Sequence, residues 1–143
     1  MTIRKATSKD RLLIERIAKK VGIFNYWFFY KLLIWWDRVF VVIIKKQVVA
    51  FASYLSIPGT DDVFFLQIGV DPSCQGQGVG KRLVHHLQAV VAKLHQAKNI
   101  WAHTLKPKAL SWFRDKMKFR LIGSAFGVSV IKREELKPET PKD

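Results

Sequence analysis

The densest chemistry in this sequence lies in one run, Gln75-Gly76-Gln77-Gly78-Val79-Gly80-Lys81. Glycine has no Cβ, so a backbone rich in it turns tightly and can lie directly against a ligand. The run opens a long helical pattern, and a helix start offers unpaired N–H groups and the positive end of the dipole to an anion. That combination predicts a phosphate or pyrophosphate cradle over Gly76 to Lys81, with Lys81 adding charge at its rim. Two nucleotide-binding patterns fail on spacing. No Gly-Lys-Ser/Thr stands where a Walker loop needs it. Glycines at 76, 78 and 80 do not make the G-x-G-x-x-G of a dinucleotide crossover. A glycine-rich helix start with no ligand is the competing reading.

Fewer residues offer proton transfer. Histidine is the side chain suited to it near neutral pH, so His103, near the end of a β-rich run, is the candidate base. Against this stands a histidine hydrogen-bonded in or beside the core. The run before the glycine loop, Val63-Phe64-Phe65-Leu66-Gln67, holds no Glu or His. Asp61 and Asp62 read as turn residues, and Tyr54 and Ser111 as polar donors without positional support. His85 and His86 are adjacent on a helix and point apart, so with His95 they make no metal site. Cys74 precedes the loop by one residue. A nucleophilic thiol is one reading, and a small residue in a turn is the better one.

These residues need elements to position them. Thr2 to Ala6 reads as a strand, then Thr7 as an N-cap with Asp10 three residues on. Leu13, Ile17 and Val21 predict the buried stripe of a first helix that stops at Gly22. A second helix, Tyr26 to Trp36, is apolar nearly all round, which marks it as buried, oligomeric or cleft-lining. Val39 to Lys45 and Val48 to Ile57 form a hairpin turning at Lys46-Gln47. After a turn at Pro58–Asp62, Val63 to Val70 is the next strand. A long helix follows from Gly78 to Lys98, with Val79, Leu83, Leu87, Val90 and Leu94 as its inner stripe. Asn99 to Leu105 is a strand, Pro107 to Lys116 a short helix, and Phe119 to Ile131 two antiparallel strands. The order β-α-α-β-β-β-α-β-α-β-β describes an α+β fold: a mixed, mostly antiparallel central sheet flanked by helices.

Composition bounds the rest. With 143 residues, 49% of them hydrophobic and 13% aromatic, the chain suits one compact domain, expected over residues 1–136 with a flexible tail at 137–143. Net charge is +14, which attracts polyanions or acidic partners without choosing among them. Cys74 is the only cysteine, so an intramolecular disulfide or a cysteine-rich zinc site is excluded. The first residues lack the apolar core of a secretory signal, and a cytoplasmic setting is expected. Val21 to Ile44 is strongly apolar, but Asn25, Lys31, Asp37 and Arg38 interrupt it below the roughly 18 residues of a spanning helix.

The strand end Gln67-Ile68-Gly69-Val70-Asp71-Pro72, then Gln75-x-x-Gly78-x-Gly80, then the long helix, resembles motif A of the GCN5-related N-acetyltransferases, the GNAT superfamily. Ala109 to Phe119 is similar to that family's motif B helix, and the element order resembles its fold over nearly the whole chain. The resemblance implies acetyl-CoA as acyl donor. Its pyrophosphate would sit on the amides of Gln75, Gly76, Gln77, Gly78, Val79, Gly80 and Lys81. Its pantetheine arm would pair like an added strand with Ile68, Gly69 and Val70. A primary amine, on a small molecule or a protein, would attack the thioester directly, with backbone N–H near Val70 polarising the carbonyl.

The sequence also departs from that family. Where many members carry a tyrosine as general acid, this chain has Trp112 or Phe113, and Phe113 is expected beside the coenzyme. Lys118 replaces a glycine, and the family's usual asparagine before this helix is absent. The aromatic helix falls where the family shapes its acceptor cleft, so a hydrophobic acceptor, a homodimer surface and plain core packing all stand as readings. Two other function classes remain. One is a coenzyme-binding module with little or no catalysis, kept open by the missing tyrosine. The other is a nucleic-acid binder driven by charge, ranked last because no recognition-helix or stacking-strand pattern appears.

Overall fold

The computed structural model describes residues 1–23, 27–104, 106–125 and 128–134. Seven strands form one mixed sheet: β1 (Thr2–Lys5), β2 (Val39–Ile44), β3 (Gln47–Ser56), β4 (Asp62–Val70), β5 (Asn99–Thr104), β6 (Arg120–Ala125) and β7 (Val128–Arg133). Their order is β1-β2-β3-β4-β5-β7-β6. The helices are α1 (Arg11–Lys20), α2 (Trp27–Trp35), α3 (Val79–His95) and α4 (Pro107–Asp115), with 3-10 turns at Ser8–Asp10 and Pro72–Cys74. The expected α+β class and mixed sheet are therefore observed. Tyr26, Leu105 and the tail at 137–143 lie outside the described residues.

The chain divides into two compact units, one of Met1–Tyr54 with Gln67–His86, the other of Leu55–Leu66 with Leu87–Asp143. In the first, β1, β2 and β3 pair antiparallel, with Val41 opposite Arg4 on one side and Phe51 on the other. Val39 to Val42 and Val49 to Tyr54 are buried without alternation. The cause is cover on both faces. Tyr30 of α2 meets Phe51 edge-on at 5.7 Å, and His86 of α3 meets Phe40 edge-on at 5.5 Å. Phe40 pairs with Ala52 and Val41 with Phe51, so α2 and α3 lie on opposite sides of these strands. Each fully buried Val, Ile or Phe there contributes about 1.5–3 kcal/mol of transfer free energy.

Thr7 and Asp10 cap the first helical turn as their spacing suggested. The Asp10 carboxylate accepts from the Thr7 N–H at 2.7 Å, and Arg4 grips it through both guanidinium nitrogens at 2.8 and 3.0 Å. Gly22 stops α1 with φ +73°, its N–H on Lys19 O and that of Ile23 on Ala18 O. Asp37 ends α2 in the same way at φ +56°, with no glycine to announce it.

Three details of the sequence reading change. The buried stripe of α1 is Ile14, Ile17 and Ala18, while Leu13 faces outward. The expected 13-17-21 row slants about 40° per step around the helix, so its ends leave the contact, whereas i, i+3, i+4 stays on it. For the same reason α3 buries Leu83, Val84, Leu87 and Val91 and leaves Leu94 59% exposed. The hairpin turns at Lys45-Lys46, not Lys46-Gln47: Ile44 pairs with Gln47, and both lysines take positive φ, +50° and +65°. A two-residue loop needs that handedness to match the strand twist.

In the second unit the start of β4 runs parallel to β5, Asp62 opposite Asn99, and β5 continues antiparallel to β7 and β7 to β6. Its core holds Val63, Phe65, Leu87, Val91, Ile100, Phe113, Met117, Phe119 and Ile131. Asp62 Oδ1 accepts from Asn99 Nδ2 at 3.1 Å and Trp101 Nε1 at 3.0 Å, so this aspartate ties two strands rather than serving a turn. No helix among the described residues is long and apolar enough to cross a membrane.

Candidate functional site

β4 delivers the chain to the glycine loop, and Asp71 shapes the exit. Its Oδ1 accepts from the Ser73 N–H at 3.0 Å and the Ser73 hydroxyl at 2.7 Å, closing a small turn. Its other oxygen meets Lys20 Nζ at 3.0 Å, so α1 braces the loop. The Ser73 hydroxyl, then the Ser73 N–H, then Lys20 hold the Asp71 carboxyl at about 2, below its ordinary 3.8. Gln75 folds back, its Nε2 donating to Val70 O at 3.0 Å.

Gly76 and Gly78 have φ +78° and +79°, and among the described residues no atom beyond their chain neighbours lies within 4 Å of where a Cβ would stand on either. Chain sterics therefore do not demand glycine there; backbone handedness does, and the space beside both is open. Gly69 differs: a Cβ on it would meet Phe51 Cε1 at 2.6 Å. Its missing side chain faces the core.

The first intrahelical bond of α3 runs from Arg82 N–H to Gly78 O at 3.1 Å. The amides of Val79, Gly80 and Lys81 precede it, at the positive end of a 17-residue helix. The first turn contains no acidic residue, and Lys81 and Arg82 are both exposed there. Cations at a helix start oppose the helix's own dipole, and they suit an anion arriving from outside. A diphosphate fits this arrangement: amide donors, two cations and glycine backbone with open space alongside. Among the described residues no group of three His, Cys, Asp or Glu could hold a metal.

One polar cluster escaped the sequence reading. Tyr30 is fully buried, and its phenol donates to Gln67 Oε1 on β4. Burial pushes that phenol well above the usual tyrosine range, and the charge of Glu15 adds to the effect. A tyrosine at mid-helix in a mostly apolar stretch is the sequence signal that marked it.

His103 and Phe113 belong to the second unit. His103 sits on β5 opposite Val130, exposed, with no hydrogen bond or ion pair among the described residues. No neighbour orients its ring as a general base requires. Phe113 is 8% exposed and packs edge-on against Trp112 and Phe119 at 4.9 and 5.1 Å. Cys74 lies in the 3-10 turn after β4 as a free thiol beside the Ser73 hydroxyl at 3.7 Å.

Known proteins resemble this chain in family and fold. No curated protein matches it in sequence. Among solved structures, Ard1 from Thermoplasma volcanium superposes with a TM-score of 0.82 at 18% identity, over 95% of this chain and 98% of that one. The ribosomal-protein-S18-alanine N-acetyltransferase of Escherichia coli gives 0.79 at 17% identity, over 94% and 93%. The paia N-acetyltransferase of Thermoplasma acidophilum, solved in complex with coenzyme A, gives 0.73 at 12% identity, over 93% and 98%. At such identities these likenesses show the fold. The model of the GNAT acetyltransferase family matches residues 12–119, and with the glycine loop and the mixed sheet this places the chain in the GNAT acetyltransferase family.

Proposed function

We propose that this protein moves an acetyl group from acetyl-CoA to a primary amine by direct attack on the thioester. The observation that carries the reading is the loop from Gln75 to Lys81, in which Gly76 and Gly78 take left-handed φ beside open space at the start of α3. Amides of the loop and first turn would hold the coenzyme's diphosphate, with Lys81 and Arg82 beside it. The strand end Ile68 to Val70 would carry the pantetheine arm. When bound, acetyl-CoA supplies an activated acyl carbon and a thiolate leaving group. The amine must arrive uncharged, so its proton passes to a base or to water. The membership in an acetyltransferase family and the coenzyme A found in a structural neighbour support the donor.

A second reading keeps the coenzyme and drops the chemistry. It draws on α4, where Phe113 is packed into the core and supplies no proton to a thiolate.

Calorimetric titration with acetyl-CoA, followed by thiol release over an amine panel, tests both. The transferase reading expects saturable coenzyme binding and turnover on at least one amine. Binding with no turnover on any amine leaves the module, and no binding defeats both. Gly78→Glu, which puts a carboxylate into the cradle, should weaken coenzyme binding about 100-fold or more in a folded protein.

A further inference from the structure

Four large apolar side chains are exposed at the start of α1 and the end of α2. Leu12 is 65% exposed, Leu13 36%, Trp35 76% and Trp36 46%. α2 touches both α1 and the turn at Ser8–Asp10. Just past α2, Asp37 reaches Lys5 at 3.5 Å, which ties the end of α2 to the end of β1, six residues before α1 starts. The indoles stand 6.2 Å apart, and Arg38 Nη1 donates to Trp36 O at 3.0 Å, which fixes the chain there. Single exposed leucines are ordinary; two adjoining leucines on α1 and two adjoining tryptophans at the end of α2, all exposed, are not.

The charge around them has one sign. Asp10 is engaged by Arg4, Glu15 by Arg11 and Asp37 by Lys5. Lys9, Arg16 and Lys31 are exposed and make no ion pair among the described residues. An apolar, tryptophan-bearing patch ringed by unpaired cations combines the two features that drive adsorption to a charged bilayer.

We propose that the start of α1 and the end of α2 dock on an anionic phospholipid surface. Leu12, Leu13, Trp35 and Trp36 enter the boundary between headgroups and acyl chains, where indole rings are favoured. Lys9, Arg16 and Lys31 meet the lipid phosphates, each strengthening adsorption roughly fivefold. A second copy of this chain is a poorer occupant, because the contact would bring two basic rings together. Nucleic acid would engage the cations and stack on the indoles, but it offers little to two leucines on the outside of a helix. The proposal is independent of the acetyl-transfer reading.

The protein is spun with vesicles of phosphatidylcholine alone and with phosphatidylglycerol added, at low and raised salt. Adsorption to the anionic vesicles is expected, with a blue shift of tryptophan emission. The pair Leu12→Ser with Trp35→Ser, both outward-facing, should weaken it about tenfold or more while circular dichroism and acetyl-CoA affinity stay unchanged. Three results overturn the proposal. They are no adsorption to anionic vesicles, adsorption the double variant leaves intact, and a dimer or an RNA-homopolymer complex that the variant abolishes instead.

Discussion

Gly69 and Phe51 touch through an absence: a methyl group on Gly69 would stand 2.6 Å from the Phe51 ring, itself fully buried. Gly69→Ala should therefore destabilise the fold by roughly 1–3 kcal/mol through overpacking. Phe51→Leu in the same chain should restore part of the loss by freeing the ring's volume. Urea unfolding of the three variants decides it; additive losses would mean the contact is not the cause.

The Asp71 turn should respond to acid. Its carboxyl sits at about 2 when folded against an ordinary 3.8, because the Ser73 hydroxyl and N–H and the Lys20 ammonium favour the charged form. A depressed carboxylate stabilises the fold fully above its unfolded value and loses that contribution as pH falls through the folded one. Loop rigidity should thus decline between about pH 4 and 2. Asp71→Asn should show the looser loop already at pH 7, read as faster amide exchange at Ser73 and Cys74 with little change in the β2–β3 core.

Asp10 carries more of the first unit. It is 5% exposed, bound by both Arg4 nitrogens and by Thr7, and its carboxyl lies below the usual range chiefly because of the Arg4 hydrogen bond. Asp10→Asn leaves the guanidinium without its anion and should cost roughly 2–3 kcal/mol at pH 7. The gap between wild type and variant should close as pH falls through the wild-type carboxyl's titration. Thermal melts across pH give the curve, and a gap that widened in acid would contradict the assignment.

The β2–β3 turn offers a gain. Lys45 and Lys46 both hold positive φ, a conformation their side chains disfavour. Asn-Gly is the pair suited to such a loop, so Lys45→Asn with Lys46→Gly should stabilise by about 0.5–1 kcal/mol. A raised midpoint at unchanged m-value is the expected readout.

The elements themselves were legible because hydrophobic period and turn chemistry are local. Gly22, Pro72 and Pro107 punctuate the chain where their backbones require, and Gly76 and Gly78 are placed by φ alone. What slipped was rotation about an axis. Leu13 and Leu94 fit a helical stripe on paper, but only the neighbour packed against a helix decides which side of a broad stripe is inner. Lys46-Gln47 slipped by one residue, because no glycine or asparagine marks the left-handed pair.

The sequence by itself determined the family, the mixed sheet and the glycine loop, since these rest on residue type and spacing within short windows. Tertiary structure decided what long-range contact alone can set. It paired the Tyr30 phenol with Gln67, turned Gly69 toward Phe51 and tied Lys20 to Asp71 across 51 positions of chain. It left Trp35 and Trp36 in water, where the sequence had offered burial, a subunit contact or a cleft wall for their helix. Burial and pairing belong to two surfaces at once, and a sequence displays only one of them at a time.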